Sequence, residues 1–180
     1  GIDDPELKPF ARLITDWDAA LTKQSQAAPL YAIWLRELRQ AYYAPKIPRH
    51  LIEAASGRNG IVQMLDQLTD PTEAWFGDHA AAKRDRLVRR SFARAVQKTQ
   101  QALGQDPSAW CWGDLHHVLF EHPLATLGPA HAEAFNLGPV PSGSGPYTPD
   151  QARYDDNFSR QHGATYREVF DLADWDQGQA

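Results

Sequence analysis

The chain has 180 residues, which is enough for one domain of ordinary size with a buried core. Hydrophobic residues make up 42% of it and six residues are tryptophan, so the composition excludes a globally disordered chain. The net charge of −5 argues against nucleic acid as a partner, and no apolar run reaches the roughly 18 residues of a membrane span, so we expect neither partner. A single cysteine, Cys111, excludes an intramolecular disulfide.

The two ends of the sequence are unusual for a complete protein. The chain begins with Gly1 and a polar, acidic stretch, not with Met and a signal peptide. We therefore expect both ends to have been cut from something longer by processing, proteolysis or deliberate truncation.

The first part of the chain has the periodicity of helices. Apolar residues recur every three or four positions between residues 6 and 23, which predicts one amphipathic helix, and Pro29 is expected to break the chain after it. A second helix is predicted over residues 30–43 and ends at Pro45 and Pro48. Its predicted inner face carries Ile33, Trp34, Leu38 and Tyr42.

Shorter helices are predicted over residues 50–55 and 61–68. The sequence Asp70-Pro-Thr-Glu73 is typical of a helix start, with Asp70 as the cap and Pro71 in the first helical position. The longest helix is predicted over residues 79–103, and Gly104 closes it.

The character of the chain changes after Pro107. A loop leads into a short apolar stretch at 117–120, and residues 138–149 contain three Gly and four Pro, which disfavour a helix or an inner strand. That segment is expected to wrap a surface. Residues 165–172 alternate and are predicted to form a strand whose partners lie outside the chain.

These patterns predict a mainly α fold with a few short strands. We divide it into a helical spacer region, residues 1–105, and a loop-rich region, residues 106–180, that ends in the strand. The two regions are expected to form one compact unit.

A histidine-rich segment is the first candidate for chemistry. Five possible zinc ligands lie within nine residues, but adjacent histidines point apart on a strand, and no His-x-x-x-His pair with an intervening Glu is present. We therefore predict no metal ligand and no cofactor here, and expect one or two of the histidines to hydrogen-bond the backbone. The five residues are Asp114, His116, His117, Glu121 and His122.

A basic helix is the second candidate. Seven cations within sixteen residues could bind phosphate or nucleic acid. They spread around most of the helix and no Gly-rich phosphate loop accompanies them, so a solvated, salt-bridged helix is the favoured interpretation. The residues are Lys83, Arg84, Arg86, Arg89, Arg90, Arg94 and Lys98.

Possible nucleophiles and calcium ligands are weaker candidates. Cys111 lies between two tryptophans, which favours burial over activation. The serines of Pro141-Ser142-Gly-Ser144-Gly145 do not form a nucleophile elbow, and turn chemistry explains them better. The three aspartates near the carboxyl end lack the glycine and closing glutamate of a calcium loop, so capping is favoured. They are Asp171, Asp174 and Asp176.

Three motifs in order resemble the penicillin acylase (penicillin amidase) family. The family carries a Trp-Gly-x-x-His segment followed by His-Pro-Leu, then a Gly-Pro-x-Pro-x-Gly turn and a Gly-x-Ser/Thr-Tyr-Arg strand with an Asp-Leu segment after it. The order and spacing agree across residues 110–176, and a segment like residues 28–34 also agrees. The matching sequences here are Trp112-Gly113-Asp114-Leu115-His116 with His122-Pro123-Leu124, Gly138-Pro139-Val140-Pro141-Ser142-Gly143, and Gly163-Ala164-Thr165-Tyr166-Arg167 with Asp171-Leu172.

The resemblance implies a piece of an α+β (αββα) N-terminal nucleophile hydrolase. In such enzymes a precursor cuts itself and frees a Ser at the start of the β subunit, whose hydroxyl attacks an amide carbonyl while its own α-amino group acts as base. Backbone and Asn donors stabilise the oxyanion. The implied substrates are linear acyl amides such as penicillins and N-acyl homoserine lactones, and the implied location is the periplasm or outside of a bacterium.

None of the family's catalytic positions matches a residue of this chain, so we predict no catalytic residue in it and no activity for the chain alone. The matched residues would be architectural: Trp112, His116, His122 and Pro123 would pack a loop, while Tyr166 and Arg167 would lie on a strand of the parent's central sheet. The implied partners are the rest of the parent acylase, meaning its α subunit and the remainder of its β subunit, and a small acyl amide for that parent.

Two alternatives stay open. The chain could be a stand-alone helical interaction module, in which case residues 165–172 would pair with strands of the same chain. It could also be a small metal-dependent hydrolase that uses His116, His117 or His122.

Overall fold

The computed structural model describes residues 4–55, 57–165 and 173. The chain divides into two compact units. The first, called the helical unit, comprises Gly1–Asp18 and Gln26–Trp110, and the second, called the mixed unit, comprises Ala19–Ser25 and Cys111–Ala180. The predicted organisation into two regions of a single compact unit stays a prediction.

The helical unit consists of helices joined by short turns. Two 3₁₀ turns accompany its six α-helices in the described ranges, at Arg49–Leu51 and Pro107–Ala109. The α-helices are α1 Lys8–Thr15, α2 Ala27–Tyr43, α3 Ile52–Ala55, α4 Arg58–Thr69, α5 Glu73–Phe76 and α6 Ala80–Leu103.

The mixed unit contains short helices and a two-stranded antiparallel sheet. In the described part of this unit Val118 pairs with Val140 and Phe120 with Leu137, with a register shift between the two pairs. The prediction of a mainly α fold with a few short strands is confirmed. The elements are α7 Trp112–Leu115, β1 His117–Phe120, a 3₁₀ turn Pro123–Leu127, α8 Pro129–Phe135 and β2 Leu137–Pro141.

The first helix is shorter than its apolar stripe predicts. We expected it to run to residue 23, but α1 ends at Thr15 and Ala19 has a positive φ of 60°. Residues 19–25 belong to the mixed unit, where the backbone of Leu21 and Lys23 bonds to distant residues of that unit. These long-range hydrogen bonds replace the helical ones that the local pattern favours.

Proline does not separate the first two helices where the sequence suggests. Pro29 lies inside the first turn of α2, which begins at Ala27. A proline in the first turn costs nothing, because the N–H groups there have no helical partner. The predicted inner face is confirmed at Ile33, Leu38 and Tyr42, which are buried.

The predicted cap of α5 is wrong by two residues. Thr72, not Asp70, is the N-cap of α5, and Asp70 closes α4 instead. The helix ends at Gly77, which has a φ of 70°. Asp70 therefore closes the helix before it and does not open the helix that its sequence context suggested.

The core of the helical unit lies between α2 and α6. Phe92 on α6 is 1% exposed, and its ring meets the ring of Trp34 edge-on at 5.0 Å. Trp34 also donates a hydrogen bond from Nε1 to the hydroxyl of Ser91. The predicted bounds of α6 are confirmed to within one residue, and Gly104 closes it with a φ of 92°.

Strand β2 was not predicted, because its sequence is rich in Gly and Pro. Two of its five residues are proline and therefore have no N–H, and all five are exposed. The exclusion of an inner strand stands, since within the described residues β2 pairs with β1 alone. The strand predicted over 165–172 lies outside the described residues from 166 onward. None of the described helices combines the length and the apolar character that crossing a bilayer requires.

Candidate functional site

The histidine-rich segment forms the best-organised polar centre of the mixed unit. Helix α7 presents Trp112 and delivers His116 directly after its last turn, and both side chains are fully buried. The ring of His116 stacks on Trp112 at 4.8 Å and meets Tyr154 edge-on at 5.4 Å. Phe158 completes the cage with its ring 5.9 Å from that of Trp112. The motif Trp-Gly-x-x-His thus supplies the imidazole and one ring of a cage that Tyr154 and Phe158 complete.

Hydrogen bonding fixes the protonation of this imidazole. Nδ1 of His116 lies 2.9 Å from the carbonyl oxygen of Phe158, which can only accept, so Nδ1 carries the proton. Nε2 is buried, and no described residue bonds it with ordinary geometry. The expectation that a histidine of this segment hydrogen-bonds the backbone is confirmed for His116.

Burial is the main influence on the charge of His116. Desolvation lowers the pKa of this imidazole, and the charges of Arg160 and His117 lower the pKa further. Backbone hydrogen bonding with Phe158 and, least of all, Gly143 opposes this decrease without overcoming it. His116 is therefore neutral in the folded protein at neutral pH.

We expect this histidine to make the mixed unit sensitive to acid. Its folded pKa lies below the ordinary value of about 6.5, so the unfolded chain binds the proton first as pH falls. The stabilisation is complete above that ordinary value and is lost as pH falls through it toward the folded pKa. Urea unfolding at pH 7.5 and 5.5 should show a smaller acid-induced loss in a His116→Gln variant than in the parent. The same loss in both proteins would contradict the assignment, and His122→Gln, at an exposed position, is the matched control.

A half-buried ion pair braces the backbone beside His116. Nη1 of Arg160 lies 3.0 Å from Oδ2 of Asp150 and donates to Oγ of Ser142 at 3.1 Å. Nε of the same guanidinium donates to the carbonyl of His162. The N–H of Ser142 in turn donates to the carbonyl of His116 at 2.9 Å. Sequence patterns did not indicate Arg160 or Asp150, because no local motif links them to a serine so far along the chain.

The Gly-Ser-Gly segment serves the backbone, as turn chemistry predicts. Ser144 has a positive φ of 67°, its N–H donates to the carbonyl of Leu21, and its carbonyl accepts from Nε1 of Trp112 at 2.9 Å. Gly113 belongs to the same arrangement, since its N–H donates to the carbonyl of Lys23 and a Cβ there would lie 2.8 Å from Pro141. Within the described residues the hydroxyl of neither Ser142 nor Ser144 bonds a histidine or carboxylate side chain that could act as base.

The remaining histidine-segment residues do not converge. Asp114, Glu121 and His122 are exposed and His117 is half-buried. Across the described ranges no three His, Cys, Asp or Glu side chains come together as metal ligands. Nδ1 of His122 accepts from the N–H of Leu124, so this side chain caps a 3₁₀ turn at the surface, with Pro123 in the first position of that turn. His122 and Pro123 therefore pack at the surface, while Trp112 and His116 are buried.

Cys111 is half-buried, whereas its neighbours Trp110 and Trp112 are fully buried. The thiol precedes α7 in the N-cap position without a capping hydrogen bond. Cys111 is thus less buried than we predicted from its two tryptophan neighbours. Tyr166, Arg167, Asp171, Asp174 and Asp176 lie outside the described residues, and the roles predicted for them stay predictions.

The basic helix is only partly neutralised. Glu37 is 4% exposed on α2 and pairs with Lys98 and, at 3.8 Å, with Arg94, while Arg84 pairs with Asp85. Lys83 donates to the carbonyl of Phe76. The other three arginines are exposed and form no ion pair with any described residue, so the salt-bridged helix is confirmed for three of the seven cations. These arginines are Arg86, Arg89 and Arg90.

Comparison with known proteins shows the family to which this chain belongs. The family model described as penicillin amidase matches residues 3–180. Proteins named acyl-homoserine lactone acylase QuiP are similar: 28% identical over 116 residues in Pseudomonas fluorescens (59% of this chain, 14% of that protein) and 26% over 143 residues in Pseudomonas syringae (74% and 17%). The protein from Pseudomonas aeruginosa is 25% identical over 158 residues, 77% of this chain and 19% of its own length. The chain thus spans less than a fifth of these relatives. With the family model matching all but two residues, the chain belongs to the penicillin amidase family.

Proposed function

We propose that this chain is a non-catalytic segment of an acylase that hydrolyses linear acyl amides. The observation that carries the proposal is the match of the penicillin amidase family model to residues 3–180. The three relatives are named for action on acyl-homoserine lactones, which favours N-acyl homoserine lactones over penicillins as the substrate class. The parent acylase would cleave the amide between the acyl chain and the lactone amine.

The nucleophile in this proposal lies outside the chain. An N-terminal Ser of the parent's β subunit would attack the amide carbonyl, with its own α-amino group as base, and water would then release the acyl group. The serines of the mixed unit support this view, since Ser142 Oγ donates to the carbonyl of Gly143 and accepts from Arg160. Such a hydroxyl has a positioning role and lacks a base.

The centre around His116 would then act as a scaffold. Its neutral imidazole, the indole of Trp112 and the Arg160–Asp150 pair tie residues 112–116 to residues 142–160 by hydrogen bonds. We assign no substrate contact to these groups. The partners are accordingly the rest of the acylase polypeptide and a small acyl amide.

We expect the chain alone to show no amidase activity. Purified chain would be incubated with an N-acyl homoserine lactone and with a chromogenic phenylacetyl anilide, and the free amine would be quantified against a heat-killed control. Turnover above the control would overturn the proposal of a non-catalytic segment. Ser142→Ala is the informative variant in that case, because loss of the turnover would identify the nucleophile.

We also propose a periplasmic or secreted location in a bacterium. The support is the resemblance to exported acylases and the bacterial source of the three relatives. Fractionation of cells that express the complete acylase would test it, and activity confined to the cytoplasm would contradict it.

A further inference from the structure

The segment from His117 to Pro141 forms regular secondary structure yet has no core of its own. It comprises β1, the 3₁₀ turn, α8 and β2, and is called the 117–141 hairpin below. None of its residues is buried. A folded element normally covers its apolar side chains, because ordering the chain costs entropy that burial must offset. Among the described residues this hairpin therefore lacks the covering that its composition calls for.

Large apolar side chains are concentrated on this hairpin. Leu127 and Leu137 are each 66% exposed and Phe120 is 55% exposed. Single exposed leucines are ordinary, but a concentrated group marks an interaction surface. The exposed apolar side chains of the hairpin are Leu119, Phe120, Leu124, Leu127, Phe135, Leu137 and Val140.

The charge pattern points to the same conclusion. No Lys or Arg occurs between Leu115 and Ala152, and the hairpin has only two acidic residues, Glu121 and Glu133. Solvated surfaces are rich in lysine, whereas the centres of interfaces are depleted of lysine and acidic residues. The absence of basic residues also disfavours a membrane surface as the partner, because interfacial elements carry Lys and Arg.

The surface is shaped before any partner arrives. The N–H of His122 donates to Oδ1 of Asn136, and the imidazole stacks on Phe135 with 5.3 Å between ring centroids. The cross-strand pair Phe120–Leu137 places two exposed apolar side chains on one face of the ribbon. A preformed apolar face loses little entropy on binding, which favours a permanent contact.

We propose that the apolar face of the 117–141 hairpin is the docking surface for the rest of the acylase polypeptide. The occupant follows from length: the chain spans only 14% to 19% of the relatives it matches, so their architecture includes ample polypeptide beyond this segment. Obligate interfaces resemble a domain core cut in two, which fits a hairpin without buried residues. This inference rests on the proposed function, because it presupposes a parent acylase.

The test reconstitutes the acylase from two chains. This chain is one, and the remaining polypeptide encoded in the same reading frame, produced separately, is the other. Binding is measured for the parent chain, for a Leu127→Glu, Leu137→Glu pair and for a Val62→Glu, Leu65→Glu pair on α4. Val62 and Leu65 are also exposed apolar residues, at 54% and 48%, so this pair is the matched control.

The hairpin pair is expected to weaken the complex by more than tenfold and the control pair by less than twofold. Hydrogen exchange at the N–H groups of Gly113 and His116 should be unchanged in both variants, because the substituted side chains are exposed. Equal binding by the hairpin variant, or equal weakening by the control pair, would overturn the assignment. A homodimer of the isolated chain that the hairpin pair abolishes would also overturn it, since a second copy would then be the occupant.

The two proposals fail in different ways. A complex that needs Leu127 and Leu137 but releases no amine from acyl amides would sink the hydrolase proposal and leave the docking surface intact. An active complex that tolerates both glutamates would sink the docking surface alone.

Discussion

A Trp112→Ala substitution is expected to lower the free energy of unfolding of the mixed unit by about 3–5 kcal/mol. The indole is fully buried and touches the rings of His116, Tyr154 and Phe158. Its removal leaves a cavity beside a neutral imidazole whose Nε2 is already without a described partner. It also removes the donor that satisfies the carbonyl of Ser144, so transfer, cavity and hydrogen-bond losses add.

Native-state hydrogen exchange at the N–H groups of residues 113–116 would measure this effect within the mixed unit. A Trp112→Phe variant should lose about 1–3 kcal/mol, because a ring still fills most of the site while the Ser144 carbonyl loses its donor. Leu137→Ala, in the same unit but 66% exposed, should change stability by less than about 0.5 kcal/mol. Unchanged protection in the alanine variant would show that the cage does not hold this unit together.

A Phe92→Ala substitution is expected to cost the helical unit about 3–5 kcal/mol. The ring is 1% exposed between α2 and α6, and it meets Trp34 edge-on at 5.0 Å. Ala95 and Val96 on the next turn of α6 are also buried, so rigid helices surround the cavity and limit its collapse.

Urea unfolding followed by far-ultraviolet circular dichroism would report this loss, since the helical unit contains the longest helices of the described chain. Phe92→Leu should lose clearly less, because it keeps most of the apolar volume. Val62→Ala, 54% exposed on α4, serves as the neutral control. A Phe92→Ala midpoint equal to that of the control would refute the central place given to this residue.

The helices were predictable where local chemistry and packing agree. α6 begins and ends within one residue of its predicted bounds, because its apolar side and Gly104 give the same answer. The stripe from residue 6 to 23 misled, because no local signal shows that Leu21 and Lys23 bond to residues more than eighty positions away. A periodic pattern shows which side chains a segment could bury. It does not show which distant backbone groups form hydrogen bonds with that segment.

The strands were less predictable for the same reason. β1 was seen only as an apolar stretch, and β2 was missed because Leu-Gly-Pro-Val-Pro lacks the usual strand composition. Its pairing with β1 depends on residues about twenty positions apart along the chain, which no short pattern contains. The Gly and Pro residues of this region exclude a helix, but they do not predict that the region pairs with β1 as a two-stranded ribbon.

The candidate site was predicted in part. The motif around Trp112 and His116 indicated the family and a packed, backbone-bonded histidine, and both are confirmed. The partners of that histidine were not foreseen, because Phe158 lies 42 residues away and outside the motif. The ion pair of Arg160 and Asp150 was likewise not predicted, since an ion pair within an irregular segment leaves no periodic trace in the sequence.

The prolines of β2 have a consequence for how this protein behaves at high concentration. A sheet edge recruits foreign strands through its N–H donors and C=O acceptors, and Pro139 and Pro141 supply no N–H. An open, apolar ribbon would otherwise be a template for cross-β fibrils. When its face is left uncovered, the missing donors make strand addition at the β2 edge less favourable, so association through the exposed side chains is favoured over fibril growth at that edge.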